Sequence, residues 1–196
     1  MGIVETGGSP ARRGSSALWR RLDSPGHDAV RLTERAGGWL LAGVAVFAHE
    51  ARACCLRYSV EADRDWRTRR ARVEGWAGDE PIDLRIEVGE GARWSLDGVP
   101  QPAVSGCVDV DLAFTPATNT LPIRRLGLAM GESGPVTAAW LRFPELVLEP
   151  LDQVYARESA ERYGYESGGG SFRAALVVAP DGLVVRYSGL WEREAP

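Results

Sequence analysis

Residues 105–131 read SGCVDVDLAFTPATNTLPIRRLGLAMG, and the fold turns on how this stretch is taken. Side chains of an extended strand alternate between two faces. Val108, Val110, Leu112 and Phe114 therefore share one face, and Asp109, Asp111 and Thr115 the other. A residue before proline is pushed out of the helical region, so the chain is expected to bend at Thr115-Pro116 and again at Leu121-Pro122. Arg124 and Arg125 then re-enter an apolar run that ends at Leu128. The pattern can bring two carboxylates and an arginine together, but it names no reaction.

The same period of two recurs on both sides. Val30 and Leu32 alternate with Arg31 and Thr33, and Gly37-Gly38 turns the chain into Trp39–Phe47. That run is apolar on both faces, which predicts a strand covered on both sides. Cys54, Leu56, Tyr58 and Val60 oppose Cys55, Arg57, Ser59 and Glu61. Residues 63–76, DRDWRTRRARVEGW, suit a long strand with arginines on at least one face. Leu84, Ile86 and Val88 alternate with Asp83, Arg85 and Glu87. Asp97-Gly98 is a hairpin signal, because glycine accepts the positive φ of a type I′ turn. Beyond the central stretch, Val136, Ala138 and Trp140 form a strand face, and Leu146 to Val154 follows. The start of Tyr155–Tyr165 is compatible with one helical turn. Phe172, Ala174, Leu176 and Val178 form a further face, and Leu183, Val185 and Tyr187 close the series. Strand-length runs every 8–12 residues with turn signals between them mark an antiparallel sandwich or barrel. A dozen strands in one sheet tend to curl or close. The expectation is an all-β fold built on a single curved, barrel-like antiparallel sheet.

Composition narrows the function classes. The chain has 196 residues, 44% of them apolar, which suits one domain with a real core. No run reaches the roughly 18 apolar residues of a membrane helix. The N-terminus lacks a basic region followed by an apolar core, so it is read as a flexible tail (residues 1–16) and not a signal peptide; the domain spans 17–196. A net charge of −4 argues against a nucleic-acid partner. All 23 basic residues are Arg, a usage that GC-rich codons explain. Cys54, Cys55 and Cys107 form no CxxC and no zinc spacing, and Cys54 and Cys55 point to opposite faces. Reduced thiols, a cytoplasmic location, no metal and no cofactor are expected. His27 and His49 have no ligand spacing, and there is no GxSxG elbow for a nucleophile.

The segments DRDWRTRRARVEGW, ARWSLDG, GCVDVDLAFTPATNTLPIRRL, FPELVLEPLDQVYARES, ERYGYESGGGSFRAAL and DGLVVRYSGLWER, in that order, resemble the bacterial "putative glycolipid-binding" family over residues 17–193. The resemblance implies a single antiparallel domain, a half-barrel similar to bacterial lipoprotein-carrier folds. The family brings no catalytic residues to carry over, and fold alone does not fix function.

Three groups of residues are candidates for a site. Asp109, Asp111, Asn119, Arg124 and Arg125 could orient a sugar or phosphate head group, since carboxylates accept from hydroxyls and arginine forks onto anions. They serve equally as an ion-pair network holding a bent strand. Trp66, Trp76, Trp94, Trp140, Tyr155, Tyr163 and Tyr165 could stack on sugar rings or line an acyl pocket, or simply build the core. Arg67, Arg69, Arg70 and Arg72 form a row that could attract an anionic surface, or pair with Asp63, Asp65 and Glu74. Asp109 and Asp111, roughly 7 Å apart at the Cα from the strand rise, permit a hydrolase-like enzyme with Arg124 without indicating one. The leading expectation is a non-catalytic protein that holds an amphipathic lipid or glycolipid in the concavity of the sheet. A homo-oligomeric or partner-binding module stays open.

Overall fold

The computed structural model describes residues 14–195. Of the tail expected over residues 1–16, residues 14–16 instead open the first strand; the rest lies outside the described residues. The first half of the chain is a meander of eight strands: β1 (Gly14–Arg21), β2 (Gly26–Arg35), β3 (Gly38–His49), β4 (Arg52–Asp63), β5 (Thr68–Ala77), β6 (Glu80–Gly89), β7 (Arg93–Leu96) and β8 (Val99–Pro100). Then come β9 (Val110–Leu112) and a short helix, α1 (Thr120–Leu126). A second meander follows: β10 (Ser133–Leu141), β11 (Leu148–Arg157), β12 (Arg162–Ser167), β13 (Phe172–Val178), β14 (Val184–Tyr187) and β15 (Trp191–Ala195).

All the strands join one sheet in the order β8-β7-β6-β5-β4-β3-β2-β1-β15-β14-β13-β12-β11-β10-β9. Every pairing is antiparallel except β9 with β10, which is parallel. The first meander grows outward from β1 to one edge, and the second returns from the other edge to β15, beside β1. The sheet curves without closing, since β8 and β9 are its two free edges. The barrel-like expectation is therefore met as an open, curved sheet.

This topology explains the burial of the opening stretch. After β8 the chain must cross from one sheet edge to the other. The backbone N–H of Thr68 at the head of β5 donates to the Val108 carbonyl (3.0 Å), and the Ala139 N–H of β10 donates to the Asp109 carbonyl (2.8 Å). Thr115 to Ile123 are all buried, so the crossing segment supplies its own filling for the curved sheet. Phe114 packs edge-on to Tyr58 of β4 and stacks near Phe47 of β3.

Within the stretch the expected long strand shrinks to three residues, and the expected bend at Leu121-Pro122 is replaced by α1. Pro122 falls in the first helical turn, where its missing N–H has no intrahelical partner to lose. Gly127 ends the helix in the left-handed conformation (φ 54°), its N–H bonded to the Ile123 carbonyl.

Other elements follow their patterns. Cys54, Leu56, Tyr58 and Val60 are buried while Arg57 is exposed. Asp97 and Gly98 both carry positive φ between β7 and β8. Two expectations change. The outer face of β3 is left open by the described residues: Val46 is 51% exposed. The helical turn expected after Tyr155 is absent, because β11 runs on to Arg157 and pairs Tyr155 with Tyr165 of β12.

Candidate functional site

Asp109 and Asp111 belong to the crossing segment but to different environments. Asp109 is buried and bound by the Arg125 guanidinium through Nε (3.1 Å) and Nη2 (2.5 Å). Burial still leaves its carboxyl above the usual range, with Arg125 opposing. Arg125 sits in the last turn of α1, where a cation also complements the helix dipole. The polar bridge anticipated between this strand and an arginine is thus an Asp109–Arg125 pair. Arg124 points elsewhere: its guanidinium lies 5.2 Å from the Trp66 ring and donates weakly to the Pro180 carbonyl (3.4 Å).

Asp111 faces a cleft between the crossing segment and the second meander. Gln153 Nε2 of β11 donates to it (2.6 Å), as does Thr118 Oγ1 at longer range (3.4 Å). Desolvation pushes its carboxyl up to about 6, with those two donors opposing and the Asp109 charge adding. Near neutral pH this group can therefore accept from a hydroxyl or, once protonated, donate to one.

The cleft has a volume of about 430 Å³, within the roughly 300–1,000 Å³ typical of small-molecule sites. Asp111, Thr115 and Asn119 line one wall, supplied by the crossing segment. The rest of the lining is mainly aromatic: Trp140, beside Asp111 in the β9–β10 register, with Tyr165, Phe172, Tyr187 and Trp191. Tyr165 makes edge contacts with Tyr155, Phe172 and Tyr187 at ring-centroid distances of 5.1, 6.1 and 5.7 Å. Burial, with nearby charge on Asp111, raises the Tyr165 phenol well above its ordinary value, so it stays a neutral donor. Ser167, Gly168 and Ser171 add small polar lining. Asn119 is fixed from below, its Nδ2 donating to the Pro116 carbonyl (3.1 Å) and its Oδ1 accepting from Tyr155 (2.9 Å).

Of the residues singled out in the sequence, Asp111, Asn119, Trp140 and Tyr165 line this cleft, with Tyr155 directly behind Asn119. The others lie apart. Trp66 stacks on Trp39 (4.4 Å between centroids). Trp94 is core and donates to the Cys107 carbonyl. Tyr163 packs under Arg157, and Trp76 is exposed on the outer face. In the arginine row, Arg69, Arg70 and Arg72 pair with Asp63, Glu61 and Glu74. Residues the sequence reading left out are Thr118, Gln153, Phe172, Tyr187 and Trp191. Phe172 and Tyr187 do stand in alternating runs, but nothing local shows that β12–β15 fold their aromatic face against Asp111. Among the described residues, no group of three or more His, Cys, Asp and Glu could hold a metal ion.

Residues 16–193 match the sequence profile of the family described as "Putative glycolipid-binding". The chain belongs to this family. A member of the DUF1089 family from Pseudomonas aeruginosa, solved by crystallography, is 30% identical, with a TM-score of 0.70 over 99% of this chain and 98% of that one. Among curated proteins none matches. The family match therefore spans the lining of the cleft, from Asp111 to Trp191. No helix among the described residues is long and apolar enough to cross a membrane.

Proposed function

We propose that this protein is a non-catalytic, cytoplasmic binding protein for an amphipathic ligand, a glycolipid or related lipid, whose polar head enters the Asp111 cleft. The observation that carries the reading is the meeting of Asp111 with aromatic side chains in one cleft. Tyrosine and tryptophan faces stack on the apolar face of a sugar ring while their polar tips and Asp111 satisfy its hydroxyls. Phe172, half exposed, and Leu190 and Leu151 give the start of a tail an apolar exit. The family description agrees in kind with this ligand class.

A hydrolase would need a second carboxylate across the scissile bond. Asp109, held by Arg125, is not part of the cleft lining, which favours binding over turnover. The test is native mass spectrometry of the freshly purified protein, followed by solvent extraction and titration with short-chain glycosides. A bound lipid, or saturable glycoside binding that Ser167→Trp abolishes while the protein stays folded, supports the reading. Protein that is empty in every preparation and binds no glycoside contradicts it.

A further inference from the structure

The outer face of the first meander carries an open groove of about 550 Å³, on the side of the sheet opposite the cleft. Its floor is Leu18, Ala29, Ala42 and Val44, aligned across β1, β2 and β3 by strand register. Small side chains at neighbouring outward positions leave a trough. Arg31 and Arg57 line it from opposite sides: Arg31 pairs in register with Ala42, and Arg57 with Val44. From strand spacing and rise, their Cα atoms stand roughly 12 Å apart, so two long side chains can converge on one group above the floor. Arg72, also on the rim, is paired with Glu74 and Asp83. Glu74 also lines the groove and stands across from Arg57 in the β4–β5 register, but its carboxylate binds Arg72; among the described residues neither Arg31 nor Arg57 forms an ion pair. The apolar surface continues along β3 to Val46, 51% exposed, and across Cys55 to Trp76, 44% exposed.

We propose that this groove is a second binding site, for a single-chain amphiphile with an anionic head such as a carboxylate or phosphate. Arg31 and Arg57 clamp the head, because guanidinium forks match oxyanions. The chain lies over Ala42 and Val44 toward Val46 and Trp76, covering apolar surface that the described residues leave open. The occupant is one free molecule, not a bilayer.

The probe is dodecyl phosphate below its micellar concentration, titrated calorimetrically against the wild-type protein and the double variant Arg31→Gln/Arg57→Gln. Dodecyl maltoside serves as the neutral comparison, and flotation with phosphatidylglycerol vesicles reports on a membrane source. Both arginines are exposed, so the variant is expected to fold. Saturable 1:1 binding of dodecyl phosphate, weakened about tenfold or more in the double variant and abolished by Ala42→Trp, is the expected result. Ser167→Trp, which fills the inner cleft, leaves this binding unchanged. Undiminished binding by the double variant overturns the proposal. So does loss of binding in Ser167→Trp, or arginine-dependent vesicle flotation without saturable binding of the free amphiphile.

Discussion

Asp28 of β2 is fully buried beneath the crossing segment, with hydroxyls for partners. Tyr58 donates to both of its oxygens (3.1 and 2.9 Å), and Thr115 donates to Oδ2. Desolvation pushes its carboxyl from 3.8 up to about 7, the two hydroxyls opposing. A carboxyl whose pKa is higher folded than unfolded binds more protons in the fold. Its contribution to stability is thus complete below about pH 4 and is lost as pH rises through about 7. That loss is worth a few kcal/mol, and Asp111 adds to it with the same sign. Urea unfolding should therefore show stability falling between pH 4 and 8, and Asp28→Asn should flatten much of that slope. An unchanged slope would remove Asp28 from the explanation. The neighbouring arginines of α1 give a second contrast. Arg125→Ala leaves Asp109 buried and unpaired, an expected loss of about 3–5 kcal/mol, whereas Arg124→Ala gives up an exposed ring contact and should cost less than about 1 kcal/mol. Equal losses by denaturant titration would contradict the assignment of Asp109 to Arg125.

At the scale of elements, β2 and β4 were legible because each meets one core and one solvent face, so sequence and burial share a period of two. Strand β3 forms where the apolar run predicts a strand, but its expected cover is absent among the described residues: Ala42, Val44 and Val46 are apolar on an outer side that these residues leave open. Helix α1 was hidden in the sequence. It has seven residues, contains a proline, and exists because Leu121, Pro122 and Ile123 bury against the sheet, not because of intrinsic propensity. Residues 155–157 show the converse, since helix-compatible residues extend β11 to Arg157, with Tyr155 paired to Tyr165. Gly43 ties an element to the buried network below it. A Cβ there would lie 2.5 Å from the Tyr58 ring and 2.7 Å from the Ala29 carbonyl. Gly43→Ala should displace Tyr58 from Asp28 and lower the thermal midpoint by several degrees, for a cost of about 1–3 kcal/mol. An unaltered midpoint would show that Tyr58 can move freely.

For the whole molecule, two meanders grow from adjacent central strands, and one crossing segment joins their far edges. That segment fills the concavity an empty half-barrel would offer, leaving a cleft lined by Asp111 and by aromatic residues of β10–β15. The aromatic and acidic residues were visible in the sequence, but their sorting was not. Tyr163 and Tyr165 share one face of β12, yet only Tyr165 reaches the cleft, while Trp66 lies in the turn between β4 and β5 and Trp94 on β7; this sorting is a long-range consequence of topology. The most direct test of the binding account is amide chemical-shift mapping of the isotope-labelled protein titrated with octyl glucoside. Saturable shifts concentrated at residues 111–119, 165–172 and 187–191 are predicted. Shifts absent there, or confined to the outer face of β1–β5, would contradict it.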